Sequence, residues 1–461
     1  MTDQTIAATT LPRTTPSAEG IDARGIDAFV TALETTADVE PHSLMILRHG
    51  RVLAEGWWAP YAPDRVHLLY SLSKSFTSTA VGFAVAEGLL GLDDTIISHF
   101  PELDAEITDE RSRRIRVRHL LAMASGHRDE TVERAYALDP VDLVRGFLLL
   151  PPDEEPGTLF CYNQPCTFTL GAIVQRASGL SLTEYLTPRL FDKLGISGVG
   201  WQRDDSGRQL GFSGFHATTE AVAKLGQLYL QRGAWAGEQL LSPEWVDEAT
   251  RAHIDNSVWE NPDWRQGYGF QFWMARHGYR GDGAYGQFCV ILPEHDVVVA
   301  ITSQSPDMQA VLDAAWTHLL PAIDAPSTAD ADAALASRLD GAGLHPRGGD
   351  VFTGTFVAAQ GSDVSTLTEV RLADDDGWIA TLVEGEHELR LRIGRGTWTT
   401  TDAFTVSGGD ESGEARIDVI FVETPHRLHL RFDRLEGTVT ARWETEPLHA
   451  APLADLRMPR A

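Results

Sequence analysis

The chain has 461 residues, with 66 acidic against 38 basic side chains and a formal net charge of −28. That length exceeds one ordinary hydrophobic core, so two domains are expected. The acidic balance argues against a nucleic-acid or an anionic-membrane partner. No apolar run reaches the roughly 20 residues that a spanning helix needs. Met1 to Pro16 is polar and Thr-rich, without the basic start and apolar middle of an export signal. Three cysteines, Cys161, Cys166 and Cys289, make no disulfide framework and fit a reducing, cytoplasmic setting. No Cys/His spacing looks like a metal site.

In chain order, residues 1–20 read as a disordered arm and Ile21–Thr36 as a helix with Ile26, Phe29, Val30 and Leu33 on one face. Leu44–Leu47 and Val52–Ala54 read as a hairpin about His49-Gly50. Ser71–Leu90 reads as a helix with an apolar body and glycine stops at Gly88 and Gly91. Arg116–Gly126 reads as a short helix, and 128–150 as a helical excursion broken by Pro151-Pro152. Helices follow over Thr167–Ala177, Leu182–Leu190 and Thr219–Gln231, then a small hairpin over Gly233–Leu241. Tyr268–Trp273, Gln287–Leu292 and Val297–Ser303 read as strands and Pro306–Leu319 as a helix. A sheet drawn from both ends around a helical middle is an α+β pattern. Residues 21–325 form this domain, and Ala-, Asp- and Ser-rich residues 326–345 a linker. Residues 346–461 read as short strands of period two, with Leu428, Leu430 and Phe432 on one face and turns at Asp374–Gly377 and Gly408–Asp410. They suggest an antiparallel barrel or sandwich.

Ser71-Leu72-Ser73-Lys74 carries the chemistry. Positions three apart share a helical face, so the hydroxyl and the amine can touch. The chain has only three lysines, Lys74, Lys193 and Lys224, and every other cationic side chain is Arg. A guanidinium cannot give up its proton, whereas a desolvated ammonium can. A neutral Lys74 can therefore take the proton of Ser71, whose free hydroxyl is nearly inert. The plain alternative is a polar first turn with a solvated lysine.

Ser71–Lys74, then Leu120-Leu121-Ala122-Met123-Ala124-Ser125-Gly126, then Pro156–Tyr162 resemble the serine β-lactamase and penicillin-binding-protein superfamily. The resemblance is to its class C-like esterase and amidohydrolase branch, and Gly283-Ala284-Tyr285-Gly286-Gln287 is similar to a loop of nylon-oligomer hydrolases. It spans about residues 20–320 and implies a β-lactamase-like fold: a central antiparallel sheet flanked by helices. It implies Ser71 as acylated nucleophile, Lys74 as its activator, and Tyr162 as second base and leaving-group acid. The oxyanion hole would be the backbone N–H groups of Ser71 and Ala284. Gly283, Tyr285, Asn163, Gln164 and His216 would face substrate, although His216 also reads as a satisfied core residue.

Two departures matter. The second motif, Tyr162-Asn163-Gln164, ends in Gln where the superfamily has Asn. Gly281-Asp282-Gly283 lacks the cation that holds a β-lactam carboxylate. The reading is a serine hydrolase for a small-molecule ester or amide that needs no metal or organic cofactor. Acyl transfer through the same intermediate and a catalytically idle scaffold are the alternatives. The C-terminal domain carries no recognisable active group, and a homodimer is left open.

Overall fold

The computed structural model describes residues 10–374 and 376–460. They form two compact units: 10–55 with 69–337, and 56–68 with 338–460. The sequence boundaries did not include 56–68 in the second unit. The Ala-, Asp- and Ser-rich stretch, read as a linker with a short helix, has that helix over 12 residues, Ala329–Asp340, and Asp332 in it accepts from the Ser17 backbone N–H at 3.3 Å. Part of the expected arm is also tied down. Thr14 N donates to Val52 O and Val52 N to Pro12 O, both at 2.8 Å; Met1–Thr9 lie outside the described residues. Among the described residues, no helix is long and apolar enough to cross a membrane.

The first unit is built on an antiparallel sheet of β1 (Glu40–Arg48), β2 (Arg51–Trp57), β3 (Trp273–Met274), β4 (Tyr279–Gly283), β5 (Gln287–Leu292) and β6 (Val297–Gln304). Their order is β2-β1-β6-β5-β4-β3. Register pairs Leu44 with Ile301, Cys289 with Ala300 and Cys289 with Gly281. Side chains alternate between faces. Val290, Leu292, Val299 and Ile301 meet Val311, Leu312 and Leu319 of the 308–319 helical segment. Cys289 and Val298 instead lie under α4 (Thr219–Leu230), where the Cys289 thiol donates to Val222 O. Helix α1 (Ala23–Thr35) buries Ile26, Phe29, Val30 and Leu33, the predicted face.

Four local expectations are corrected. The nucleophile helix α2 runs Ser73–Ala86, preceded by a 3-10 turn over Tyr70–Leu72, so Ser71 stands before the helix. The 116–126 helix shortens to Val117–Leu121, because Met123 turns to φ 54° and its carbonyl accepts from Cys161 N at 2.9 Å. Tyr268–Trp273 is not a continuous strand: Gln271 has φ 65°, and its amide donates to the Leu120 and Leu121 carbonyls at 3.0 and 2.8 Å. Helix α3 spans Gln164–Ser178, three residues longer at its start than its apolar pattern suggested.

The second unit is a nine-stranded sheet of β7 (Gly354–Ala358), β8 (Leu367–Asp374), β9 (Trp378–Glu384), β10 (His387–Arg392), β11 (Thr399–Thr401), β12 (Phe404–Glu411), β13 (Glu414–Phe421), β14 (Arg427–Asp433) and β15 (Thr438–Trp443). The order is β10-β9-β8-β7-β15-β14-β13-β12-β11, with β7 parallel to β15. A bridge from Gly394 to Ser407 links the region after β10 to β12, giving a nearly closed barrel. Val370, Leu382, Leu391, Val419 and Leu430 fill it. Asp375, in the turn read at 374–377, lies outside the described residues. Gly408–Asp410 is not a turn but lies inside β12, where a Cβ on Gly409 would fall 2.1 Å from Gly348 O. Its glycine answers a close backbone approach.

Candidate active site

Helix α2 is buried nearly all round, yet its sequence is rich in hydroxyls. Most find partners on neighbouring segments, and Thr79 bonds Ser75 O in its own helix and the Tyr229 hydroxyl. Ser73 Oγ donates to Tyr70 O and accepts from Phe215 N. Ser75 and Ser78 donate to the carbonyls of Gln271 and Phe270, and Thr77 to Gly211 O. Buried hydroxyls satisfied in this way fix loops to a rigid helix. Phe76 adds an apolar anchor, its ring 4.6 Å from that of Phe215.

Lys74, 1 % exposed, points its amine at Ser71 Oγ from 2.9 Å and donates to Phe212 O, also at 2.9 Å. Burial drives its pKa down to about 7, against the pull of the Glu130 and Asp282 carboxylates toward the charged form. The amine lies 4.7 Å from the centre of the Tyr162 ring. Burial and then the charge of Asp282 push the Tyr162 phenol above the ordinary range. The hydroxyl, amine and phenol singled out in the sequence therefore form one cluster.

The turn carrying Ala284 lies against the nucleophile turn. Modelling a Cβ on Gly283 places it 2.0 Å from Leu69 O and 3.1 Å from Leu72 N; one on Gly281 would lie 2.5 Å from Ser75 Oγ. Only glycine lets β4 come this close. Alternation turns Arg280 and Asp282 to the other face of β4. Both are buried, and Arg280 Nε donates to Asp282 at 3.0 Å while its guanidinium lies 4.2 Å from the Trp264 ring centre. The third motif thus brings a paired carboxylate to the site where a lone cation was absent from the sequence.

The remaining expected contacts divide. Tyr285 stands on the Ala284 turn, partly exposed, with its ring against Tyr70. Gln164 is partly buried beside Tyr162, and its Oε1 has no hydrogen-bond partner. Asn163 is fully buried and acts as a strut through its Oδ1, which accepts from the backbone N–H and the hydroxyl of Thr131 at 3.0 and 2.8 Å, while its Nδ2 has no hydrogen-bond partner. His216 is also fully buried, with Nδ1 3.2 Å from Gly214 O, and burial lowers its pKa to about 4. The ring lies in the core, but its Nε2 has no hydrogen-bond partner. Trp264 and Trp273 lie near the site, whereas Trp57 and Trp58 belong to the second unit.

Glu130 was not singled out in the sequence. Its carboxylate accepts from the backbone N–H groups of Thr131, Val132 and Gln164 at 2.8, 2.9 and 2.9 Å. It stitches the Tyr162 segment to the helix at Val132–Leu138 and sets a negative charge near Lys74. Desolvation of the carboxylate raises its pKa against those donors. No sequence pattern marks it, because its partners are main-chain groups.

A family model described as Beta-lactamase matches residues 26–322. The 6-aminohexanoate-dimer hydrolase of Paenarthrobacter ureafaciens is 27% identical over 315 residues, 61% of this chain and 78% of that protein. A lovastatin esterase of Penicillium rubens is 32% identical over 169 residues, 32% of this chain and 42% of the esterase. Among solved structures, EstCE1, a hydrolase with promiscuous acyltransferase activity, superposes with a TM-score of 0.53 at 18% identity, over 64% of this chain and 99% of its own. The match runs through the first unit, where the serine, lysine and tyrosine meet, and the chain belongs to the Beta-lactamase family.

Proposed function

We propose that the protein is a serine hydrolase that cleaves an ester or amide bond of a small molecule through an acyl-enzyme on Ser71. One observation carries this reading: a buried Lys74 amine, 2.9 Å from Ser71 Oγ, with a pKa of about 7. About half of that amine is uncharged at neutral pH. In that form it accepts the Ser71 proton as Oγ attacks the carbonyl carbon. The N–H groups of Ser71 and Ala284 receive the developing oxyanion, a contribution of ~3–4 kcal/mol per donor in comparable sites. Tyr162, held protonated, gives its proton to the leaving alcohol or amine and regains one from the Lys74 ammonium. Water then attacks the acyl-enzyme, its proton passing to Lys74. Collapse of the second tetrahedral adduct returns a proton to Ser71 and frees the acid.

The raised phenol favours Tyr162 as acid and Lys74 as base, a narrower division of labour than two interchangeable bases. The relatives named as a dimer hydrolase and an esterase support the reaction class. Asp282 already occupies Arg280, which argues against a substrate held by its own carboxylate, as a β-lactam is. Ser71→Ala tests the proposal: hydrolysis of a nitrophenyl ester falls to the uncatalysed background, and wild-type turnover in that variant refutes it. Acyl transfer through the same intermediate predicts a new ester or amide when a competing alcohol or amine is supplied.

A further inference from the structure

An unbroken run of aromatic rings leads from Tyr162 to the surface. Trp273 stacks on Tyr162, with ring centres 5.2 Å apart and planes 20° from parallel. Trp259 meets Trp273 at 5.3 Å, and Phe160, two residues before Tyr162, touches both indoles at 5.6 and 5.9 Å. Phe160 and Trp273 are buried, Trp259 is 37% exposed and its neighbour Val258 is 88% exposed. The loop holding them is anchored: Trp259 N donates to Asn256 O at 3.0 Å, and Asn256 Oδ1 accepts from Gly267 N at 2.6 Å. Trp273 also meets Tyr268 edge-on, with ring centres 4.8 Å apart.

Direction follows from the chemistry. Tyr162 delivers its proton to the leaving group, so the leaving group departs on the Tyr162 side. The rings run on from Tyr162 itself to Trp259. An aromatic surface beside two exposed apolar side chains favours a flat or bulky apolar guest, through area burial and ring stacking. We propose that Trp259 and Val258 form an apolar lip that binds the leaving group, selecting esters or amides whose alcohol or amine part is aromatic or bulky and apolar. This rests on the acyl-enzyme reading above.

The test uses the full-length enzyme with benzyl butyrate and ethyl butyrate. Both give the same acyl-enzyme, and kcat/KM reports its formation, so a difference between them reports leaving-group recognition. The wild type favours the benzyl ester by tenfold or more. Trp259→Ala and the exposed Val258→Asp each lower the benzyl-to-ethyl ratio about tenfold or remove it, and Trp259→Phe keeps most of it. A ratio near one in the wild type, or an unchanged ratio in Val258→Asp and Trp259→Ala, overturns the lip. If Ser71→Ala cleaves both esters at the wild-type rate, the acyl-enzyme reading fails and the lip falls with it; if Ser71→Ala is inactive while Trp259→Ala and Val258→Asp keep the wild-type ratio, the lip alone is overturned.

Discussion

Tyr70 and Tyr285 both hold left-handed backbones, at φ 47° and 65°, and their rings meet edge-on with centres 5.5 Å apart. Tyr70 precedes Ser71 and Tyr285 follows Ala284, so the pair flanks the two expected oxyanion donors. Left-handed non-glycine residues cost about 1–3 kcal/mol each and persist where surroundings hold them. Here the ring contact, together with Ser303 Oγ and Ser305 N donating to Tyr285 O at 2.8 and 2.9 Å, holds the turn. Tyr285→Val puts a β-branched residue at positive φ and removes the ring. Steady-state kinetics on a nitrophenyl ester should show kcat down roughly 10- to 100-fold, consistent with a misplaced donor. Tyr285→Gly relieves the backbone strain and should lose less. Equal kcat values in all three forms would remove the turn from the mechanism.

The protonation of Lys74 predicts a pH profile. Only the neutral amine acts as base, so kcat/KM rises with pH and reaches half its plateau near 7. The Tyr162 phenol, pushed above its ordinary range, leaves the plateau intact well into alkali. Glu130→Gln removes a charge that favours the ammonium, so the midpoint moves toward acid. A midpoint unmoved by Glu130→Gln would show that this carboxylate does not act on Lys74.

Much of the site was legible because its chemistry depends on side chains at short, ordered spacings. Ser71 and Lys74 lie within one turn of chain, and Tyr162 follows in a recognisable stretch. The core face of α1 and the period-two face of β14 were legible for a similar reason, since alternation and helical period are local. The parts that were missed depend on long-range backbone contacts. Glu130 binds main-chain N–H groups up to 34 residues away. Gln271 bends a hydrophobic stretch out of strand geometry to reach the 120–121 carbonyls. Residues 56–68 join a unit otherwise formed from the far end of the chain.

Asn163 provides a check on that distinction. As a strut it supports stability, with Thr131 left unpaired on truncation. Asn163→Ala should cost about 1–3 kcal/mol, seen as a lower thermal midpoint of the first unit, with KM nearly unchanged. A large rise in KM at unaltered stability would return Asn163 to the substrate.

The barrel has its own pH signature. His429 sits between Asp418 and Glu444, at 2.8 and 3.1 Å, and these carboxylates outweigh burial to raise its pKa to about 9. Its unfolded value is near 6.5. The charged ring therefore contributes fully below pH 6.5, and the contribution fades as pH rises through 9, by about 1–3 kcal/mol after allowance for solvent. Thermal melts should show the second unit weakening between pH 6.5 and 9, and His429→Gln should flatten that slope. A slope identical in both proteins would contradict the network.

The central claim is covalent. Rapid quenching of the full-length enzyme during turnover of a slowly deacylating ester, followed by intact-mass and peptide analysis, tests it most directly. The expected result is a gain of one acyl group on the peptide containing Ser71 and none in Ser71→Ala. Turnover without that adduct, or the same adduct on another residue, would contradict it.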